Sequence, residues 1–333
     1  MKTGQLATKL FTGFLKFKAK RPTPLFVSYG ITGRCNMKCA FCDWWKMNVP
    51  ELPTRKALAV IDEVCNLGVP FFDFSGGEPL MRRDLSVLAK RAASHGCLVS
   101  MNTNGSLLTD ERATEIADSF DVVVVSLDGP EELHDKNRGM KGTYNKAIEA
   151  IKMLRAHGVK VGVNSVLTPW NVEILPQFFE ELRGLADFAE IQPVHPYPPP
   201  HQNKPSKEAV SRLITYLLEL KRYDRRFLTV PTDFIKGFDL FFEGKVPKIC
   251  HAGELYVHID PLGKLLACAP RADIVLGDLL TDSAAKILKE KQKCENWSKV
   301  LSCEGCWLAC TVAISMVFKN PIKESTHFIS QLI

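Results

Sequence analysis

From Leu25 onward, short apolar runs alternate with longer stretches of helical spacing. The apolar runs cover 25–31, 69–74, 97–102, 121–127, 159–167 and 187–193, each rich in Val, Ile, Leu or Phe. Runs of this length fit strands buried on both faces, as in a parallel sheet. Between them, 54–67, 82–95, 109–119, 142–157 and 171–184 carry helix patterns. Thr54 and Thr109 stand where N-caps belong, and Asp110 with Glu111 suits a first turn. Gly68, Gly96 and Gly158 sit where helices should stop. Six strands with five intervening helices predict a βα repeat of the α/β class. In a curved sheet such units make a partial barrel, whose ligand crevice lies at the carboxyl ends of the strands.

The flanks read differently. Leu6, Leu10, Phe14 and Phe17 recur at helical spacing among Lys9, Lys16 and Lys18, and Pro22 and Pro24 end the segment. This predicts a helix across the open bottom of the main domain. The alternative is a basic amphipathic helix making peripheral membrane contact through residues 5–21. His195 to His201, with Tyr197 and four prolines, predicts a stiff loop over the barrel mouth. Residues 206–223 predict an amphipathic helix. Glu254 to Asp260 alternates, Pro261-Leu262-Gly263 turns, and Lys264 to Cys268 returns, which reads as a β-hairpin. The late apolar run, Trp307 to Phe318, is shorter than the roughly 20 residues that span a bilayer. Four segments follow: 1–24 amino-terminal, 25–203 barrel, 204–249 helical connector and 250–333 cysteine-rich.

Composition narrows the classes. The chain has 333 residues, 46% of them apolar, and a net charge of +6. The positive excess gathers near the amino terminus. No basic stripe with interleaved aromatics appears, so no nucleic-acid partner is expected. The eleven cysteines gather mainly at 35–42 and 250–310, and no apolar signal-peptide core is seen. A reducing, cytoplasmic location is expected, with peripheral membrane attachment as the alternative. Cys65 and Cys97 read as core thiols.

The candidate chemistry starts at Cys35, Cys39 and Cys42, spaced C-x3-C-x2-C just after the first strand. Three thiolates on one short loop can converge on a metal centre but cannot all pair as disulfides. Packed thiolates of this kind suit an iron–sulfur cluster, and three ligands for a [4Fe–4S] cluster leave one iron open. A structural zinc site is the alternative. After the second strand comes Ser75-Gly76-Gly77-Glu78-Pro79, and Asn102-Thr103-Asn104-Gly105 follows the third. The fourth ends in Ser126-Leu127-Asp128-Gly129, with His134-Asp135-Lys136-Asn137-Arg138-Gly139 beyond it. Asn164 interrupts the apolar fifth strand, where an amide is costly without a partner.

The cysteine loop, with Phe41 before its last cysteine, resembles that of the radical S-adenosylmethionine (SAM) enzymes. The later segments resemble that family's GGEP, TNG, SLDG and HDxxRG motifs, in order, over about 25–193. The resemblance implies a partial (β/α)6 TIM barrel. It implies a [4Fe–4S] cluster on Cys35, Cys39 and Cys42 whose open iron is chelated by SAM. It also implies reductive cleavage to a 5′-deoxyadenosyl radical that abstracts hydrogen from a substrate. SAM would be held by Phe41, Gly76, Gly77, Glu78, Asn104, Ser126, Asp128, Arg138 and Asn164. Glu78 would take the SAM amine and Arg138 its carboxylate. Gln192 and Pro193 would lie near the adenine edge.

The spacing from Cys250 to Cys268 with a glycine between resembles the family's SPASM and twitch extensions, which hold auxiliary clusters. Cys250 and Cys268, with two of Cys303, Cys306 and Cys310, would close one auxiliary [4Fe–4S] cluster, and the count leaves the third open. A flavodoxin or ferredoxin would be the reductant. The implied enzyme is a radical SAM oxidoreductase or transferase with no substrate assigned. A lipid or membrane-bound substrate is an alternative, and a peptide, crosslinked, epimerised or oxidised, is another. Only about 24 residues precede the first strand, too few for a peptide-recognition winged helix. A non-catalytic iron–sulfur electron carrier is the reading from another class. His195, Tyr197, Tyr256 and His258 are candidate bases or hydrogen donors.

Overall fold

The computed structural model describes residues 2–19, 23–47, 49–194 and 204–319. His195 and Tyr197 lie outside them. Six parallel strands appear at β1 (Phe26–Thr32), β2 (Phe71–Gly76), β3 (Leu98–Thr103), β4 (Val122–Ser126), β5 (Lys160–Leu167) and β6 (Phe188–Pro193). They run in the order β6-β5-β4-β3-β2-β1, as βα repeats with their crossovers on one face build them. This is the partial barrel that the alternating pattern predicts.

Each strand has two different faces. Val27, Tyr29, Ile31, Phe72, Phe74, Val99, Met101, Val161, Val163, Ala189 and Ile191 are fully buried in the main hydrophobic core. The residues between them, Ser28, Asp73, Asn102, Asn164 and Glu190, line a cavity on the other face. Side chains alternate along a strand, so the apolar runs conceal a polar inner wall.

The outer layer holds α1 (Lys2–Lys18), α2 (Thr54–Cys65), α3 (Leu85–Ser94), α4 (Asp110–Ala117), α5 (Glu131–Arg138), α6 (Thr143–Ala156), α7 (Leu175–Leu182) and α8 (Lys207–Tyr223). Thr109 caps α4 by accepting from the Arg112 N–H at 3.3 Å. Thr54 is not a cap: it is the first helical residue, behind Pro53. The stop glycines Gly68, Gly96 and Gly158 all have positive φ. Helix α5 lies in the stretch read only as a motif.

Helix α1 closes the bottom of the barrel. Leu6 and Leu10 pack with Leu25, Phe71 and Leu255. The Lys9 ammonium donates to the carbonyls of Val69 at 3.0 Å and His95 at 2.8 Å. Its other face exposes Phe11 (64%) and Leu15 (51%).

The sheet does not end with β1. Strand β7 (Tyr256–Ile259) pairs parallel with β1, and β8 (Lys264–Leu266) and β9 (Val275–Asp278) continue antiparallel. The hairpin predicted at 254–268 is β7–β8, with Gly263 at φ 83° in its turn. The boundary drawn at 250 thus falls just before a strand of the barrel's own sheet. Trp307 ties the late cysteine segment to the connector. It is 1% exposed, stacks on Phe234 at 5.6 Å, and donates its indole N–H to the Phe234 carbonyl at 2.8 Å. Gly237 leaves room for the ring: a Cβ there would stand 1.8 Å from it.

Truncating so large a buried ring leaves a cavity and an unpaired carbonyl. Trp307→Ala is therefore expected to cost about 3–5 kcal/mol in denaturant unfolding. An unchanged midpoint and slope would show that Trp307 does not tie the two parts together.

Candidate active site

The loop from Gly33 to Asp43 has almost no regular structure, so its shape is imposed by neighbours. Past the end of β2, the Gly77 N–H donates to the Thr32 carbonyl at 2.9 Å and the Glu78 N–H to the Arg34 carbonyl at 2.8 Å. These bonds extend the β1–β2 pairing up to Cys35. Side chains are excluded there. A Cβ on Gly77 would stand 2.0 Å from the Arg34 oxygen, and one on Gly76, at φ 118°, 2.5 Å from the Thr32 oxygen. Both glycines thus serve the backbone of the cysteine loop.

Two further clamps hold the loop. The Asn104 amide donates to Asn36 Oδ1 at 2.9 Å, Asn36 Nδ2 donates to Ser106 Oγ at 2.8 Å, and that hydroxyl donates to Asn104 Oδ1 at 2.7 Å. The ring ties the end of β3 to the loop. From α5, the Asn137 carbonyl accepts the Ala40 N–H at 2.9 Å. Gly139 packs so tightly that a Cβ would stand 2.4 Å from the Lys38 oxygen.

Some expected ligand contacts are instead internal. Glu78 is 1% exposed. Its carboxylate accepts from the Leu80 N–H at 3.0 Å, the Thr103 hydroxyl at 2.6 Å and the Asn104 N–H at 2.8 Å. These three donors brace β2 against β3 and leave one of the carboxylate's roughly four acceptor sites open on the cavity that Glu78 lines. Asp128 is fully buried, does not line the cavity, and receives the Arg138 fork at 2.8 and 2.9 Å. The fork expected on a ligand carboxylate therefore lands on Asp128, because a buried carboxylate needs a counter-charge. Arg138 still lines the cavity and stacks over Phe41 at 5.1 Å. Burial alone would push the Arg138 pKa down. The nearby Asp128 carboxylate and the Cys39 thiol, to which it also donates, hold it up.

The three thiols share one wall. Burial pushes Cys35 up to about 11 and raises Cys39 and Cys42, which also repel one another. Phe41, Gly76, Gly77, Glu78, Asn104, Ser126, Arg138 and Asn164 join them around a cavity of about 370 Å3. Asn164 Oδ1 is buried there without a partner. Of the other candidates, Gln192 and Tyr256 reach the cavity, while His258 is buried beside Trp44, their ring centres 5.9 Å apart, and burial pushes its pKa down to about 3. Asp73 and Glu190 also line the cavity and were missed. Burial pushes both up to about 7. The available signal was a charged residue inside an apolar strand run.

The late cysteines form a second group. Burial raises Cys268, and Cys306, Cys250 and Cys310 add to the shift. Burial likewise raises Cys310 and Cys306, with the neighbouring thiols adding, Cys306 and Cys250 at the first and Cys250 at the second. Cys250, Cys268, Cys306 and Cys310 thus each act electrostatically on the others, and Cys303 acts on Cys250 and Cys306. Cys310 alone of the five lines the cavity. Cys65 and Cys97 are buried, as expected of core thiols, with sulfurs 3.6 Å apart. None of the described cysteines is in a disulfide. Among the described residues no three ligating side chains converge tightly enough for a single ion. In donor type and number, a group of three thiols suits a [4Fe–4S] cluster with one iron open, and a group of four suits a closed one.

Residues 29–182 match the radical SAM superfamily pattern. The chain is 36% identical over 187 residues to the Fe-coproporphyrin III synthase of Methanosarcina barkeri, covering 55% of this chain and 46% of that protein. It is 32% identical over 256 residues to the PqqA peptide cyclase of Bradyrhizobium diazoefficiens, covering 74% and 66%. The chain thus spans about half the length of the first of these relatives. In fold it is similar to Streptococcus suis SuiB bound to S-adenosylmethionine, with a TM-score of 0.69 at 16% identity over 87% of this chain and 71% of that one. It is also similar to anSMEcpe with bound AdoMet and the Cp18Cys peptide, with a TM-score of 0.64 at 18% identity over 92% and 96%.

Gly77→Ala removes no polar group, yet its methyl meets the Arg34 carbonyl. Iron bound by the reconstituted protein is expected to fall by about half as the loop is displaced. Full iron content would show that the loop does not depend on this close approach.

Proposed function

We propose that this chain, which belongs to the radical SAM superfamily, cleaves S-adenosylmethionine reductively and abstracts hydrogen from an organic substrate in the cavity between its two cysteine groups. One observation carries the reading. The thiols of Cys35, Cys39 and Cys42 share a wall with Gly76, Gly77, Ser126, Arg138 and Asn164. The three thiolates would hold a [4Fe–4S] cluster and leave one iron open for SAM. When bound, the cluster and SAM supply one-electron cleavage of SAM and a carbon radical able to take a hydrogen atom.

The chain's own residues bind, orient and enclose. Gly76 and Gly77 keep the loop against β2. Ser126 and the unpartnered Asn164 Oδ1 offer polar contacts to SAM. Arg138, fixed by Asp128, places positive charge beside Cys39 and favours its thiolate. Phe41 packs over the same guanidinium. Glu78 acts through the strand ends it braces. A flavodoxin or ferredoxin would deliver the electron.

An auxiliary [4Fe–4S] cluster is proposed on Cys250, Cys268, Cys306 and Cys310, the four thiols that all act on one another, with Cys303 as the spare. In this arrangement Cys310 brings the cluster to the cavity wall. The relatives carry names of both tetrapyrrole and peptide enzymes, so the substrate is left as an organic C–H donor. No helix among the described residues is long and apolar enough to cross a membrane. The exposed Phe11 and Leu15 of α1, with Lys16 and Lys18 nearby, support peripheral contact with an anionic surface. Helix α1 lies at the amino ends of the strands, opposite the cavity. Contact through α1 alone would turn the cavity away from the bilayer, which counts against direct delivery of a lipid.

Cys39→Ala is expected to abolish 5′-deoxyadenosine formation from SAM under dithionite in anaerobic buffer. Formation at the wild-type rate would overturn the radical SAM reading. In iron analysis, Cys310→Ala should lose about half the bound iron and Cys303→Ala should keep nearly all of it. The reverse pattern would make Cys303 the ligand.

A further inference from the structure

Three carboxyl groups line the cavity, and they differ in how well they are satisfied. Glu78 accepts three hydrogen bonds, as described above. Asp73 accepts from the Ser100 hydroxyl at 2.7 Å and from Asn102 Nδ2 at 2.9 and 3.0 Å. Glu190 has one hydrogen bond, from the Thr229 hydroxyl at 3.4 Å, and no ion pair among the described residues. A partly buried carboxylate with one long bond has acceptor capacity to spare, which a donor entering the cavity can use.

The neighbouring strand repeats the feature. Asn164 is the register partner of Glu190 on β5, and its buried Oδ1 has no partner. Two adjacent strands therefore present two open acceptors to one part of the cavity. Among the described residues Arg138 is the one Lys or Arg that lines the cavity, and Asp128 already neutralises it. The wall around β6 also carries the polar Gln192 and Thr229 and the apolar Val166, Val230 and Pro231. A carboxylate with apolar groups on one flank suits a donor-rich cation with a hydrocarbon stem.

We propose that the β6 side of the cavity is a substrate subsite for a protonated amine, bound by Glu190 next to the place where Asn164 would meet SAM. The inference rests on the radical SAM reading and adds the chemical class that the substrate presents. Holding an ammonium there would orient its alkyl chain within the same enclosed space as the thiol wall. Burial pushes the pKa of Glu190 up to about 7, and that of the nearby Asp73 carboxyl, on which Glu190 acts, also to about 7, so the negative charge at the subsite, and with it amine binding, grows as pH rises through neutrality.

The test uses the reconstituted holoprotein saturated with SAM, titrated calorimetrically with n-butylammonium and, separately, with n-butanol. The ammonium should bind at least about tenfold more tightly than the alcohol, and more tightly near pH 8 than near pH 6. Glu190→Gln, nearly isosteric, should erase that preference, whereas Glu190→Asp should retain it at reduced affinity. Equal binding of the two probes, or a preference that survives in Glu190→Gln, would overturn the subsite. A parallel loss of SAM affinity in Glu190→Gln would overturn it too, by assigning Glu190 to SAM. Reductive SAM cleavage, measured without either probe, reports separately on the radical SAM reading.

Discussion

The structure depends on the backbone contact between the Gly76–Gly77 segment and the start of the cysteine loop. A loop with three thiols and little regular structure has no preferred shape, and fixing it costs conformational entropy. The fold meets that cost by extending a parallel ladder two hydrogen bonds past the strands, to Arg34. Only glycine permits the approach, because a Cβ at Gly77 would stand 2.0 Å from the Arg34 oxygen. The Asn36–Asn104–Ser106 ring and the end of α5 then fix the far side of the loop. Three strand or helix ends, distant in sequence, thus set the position of Cys35, Cys39 and Cys42.

Several residues that read as ligand contacts work one step further back. Glu78 uses its carboxylate on the ends of β2 and β3. Asp128 spends its charge on Arg138, which in turn faces Phe41 and Cys39. Breaking such a buried pair by removing one partner costs about 3–5 kcal/mol, so Asp128 positions the guanidinium and stabilises the fold at once. Glu78 and Arg138 thus line the cavity and hold its framework at once, whereas Asp128 acts from behind the wall.

The two cysteine groups share a sheet. Strand β7 runs parallel to β1 in continuous register, and Tyr256 and Cys310 reach the wall of the cavity whose other side holds Cys35, Cys39 and Cys42. Trp307, locked over Phe234, fixes the segment that carries Cys306 and Cys310. The late segment is thereby a wall of the site and not an appendage beside it.

The sequence by itself determined the repeat, the parallel partial barrel, the hairpin after Cys250 and the two cysteine groups. These follow from local signals: apolar runs, stop glycines and close cysteine spacing. Tertiary structure alone decided which face of each strand looks inward, and so placed Asp73 and Glu190, from runs that read as mainly apolar, on the cavity wall. It also decided which partner each charged motif residue takes, since Arg138 meets Asp128 only when α5 folds back across the end of β4. Local spacing is written in the chain, whereas the partner of a buried charge is set by what the folded sheet brings within reach.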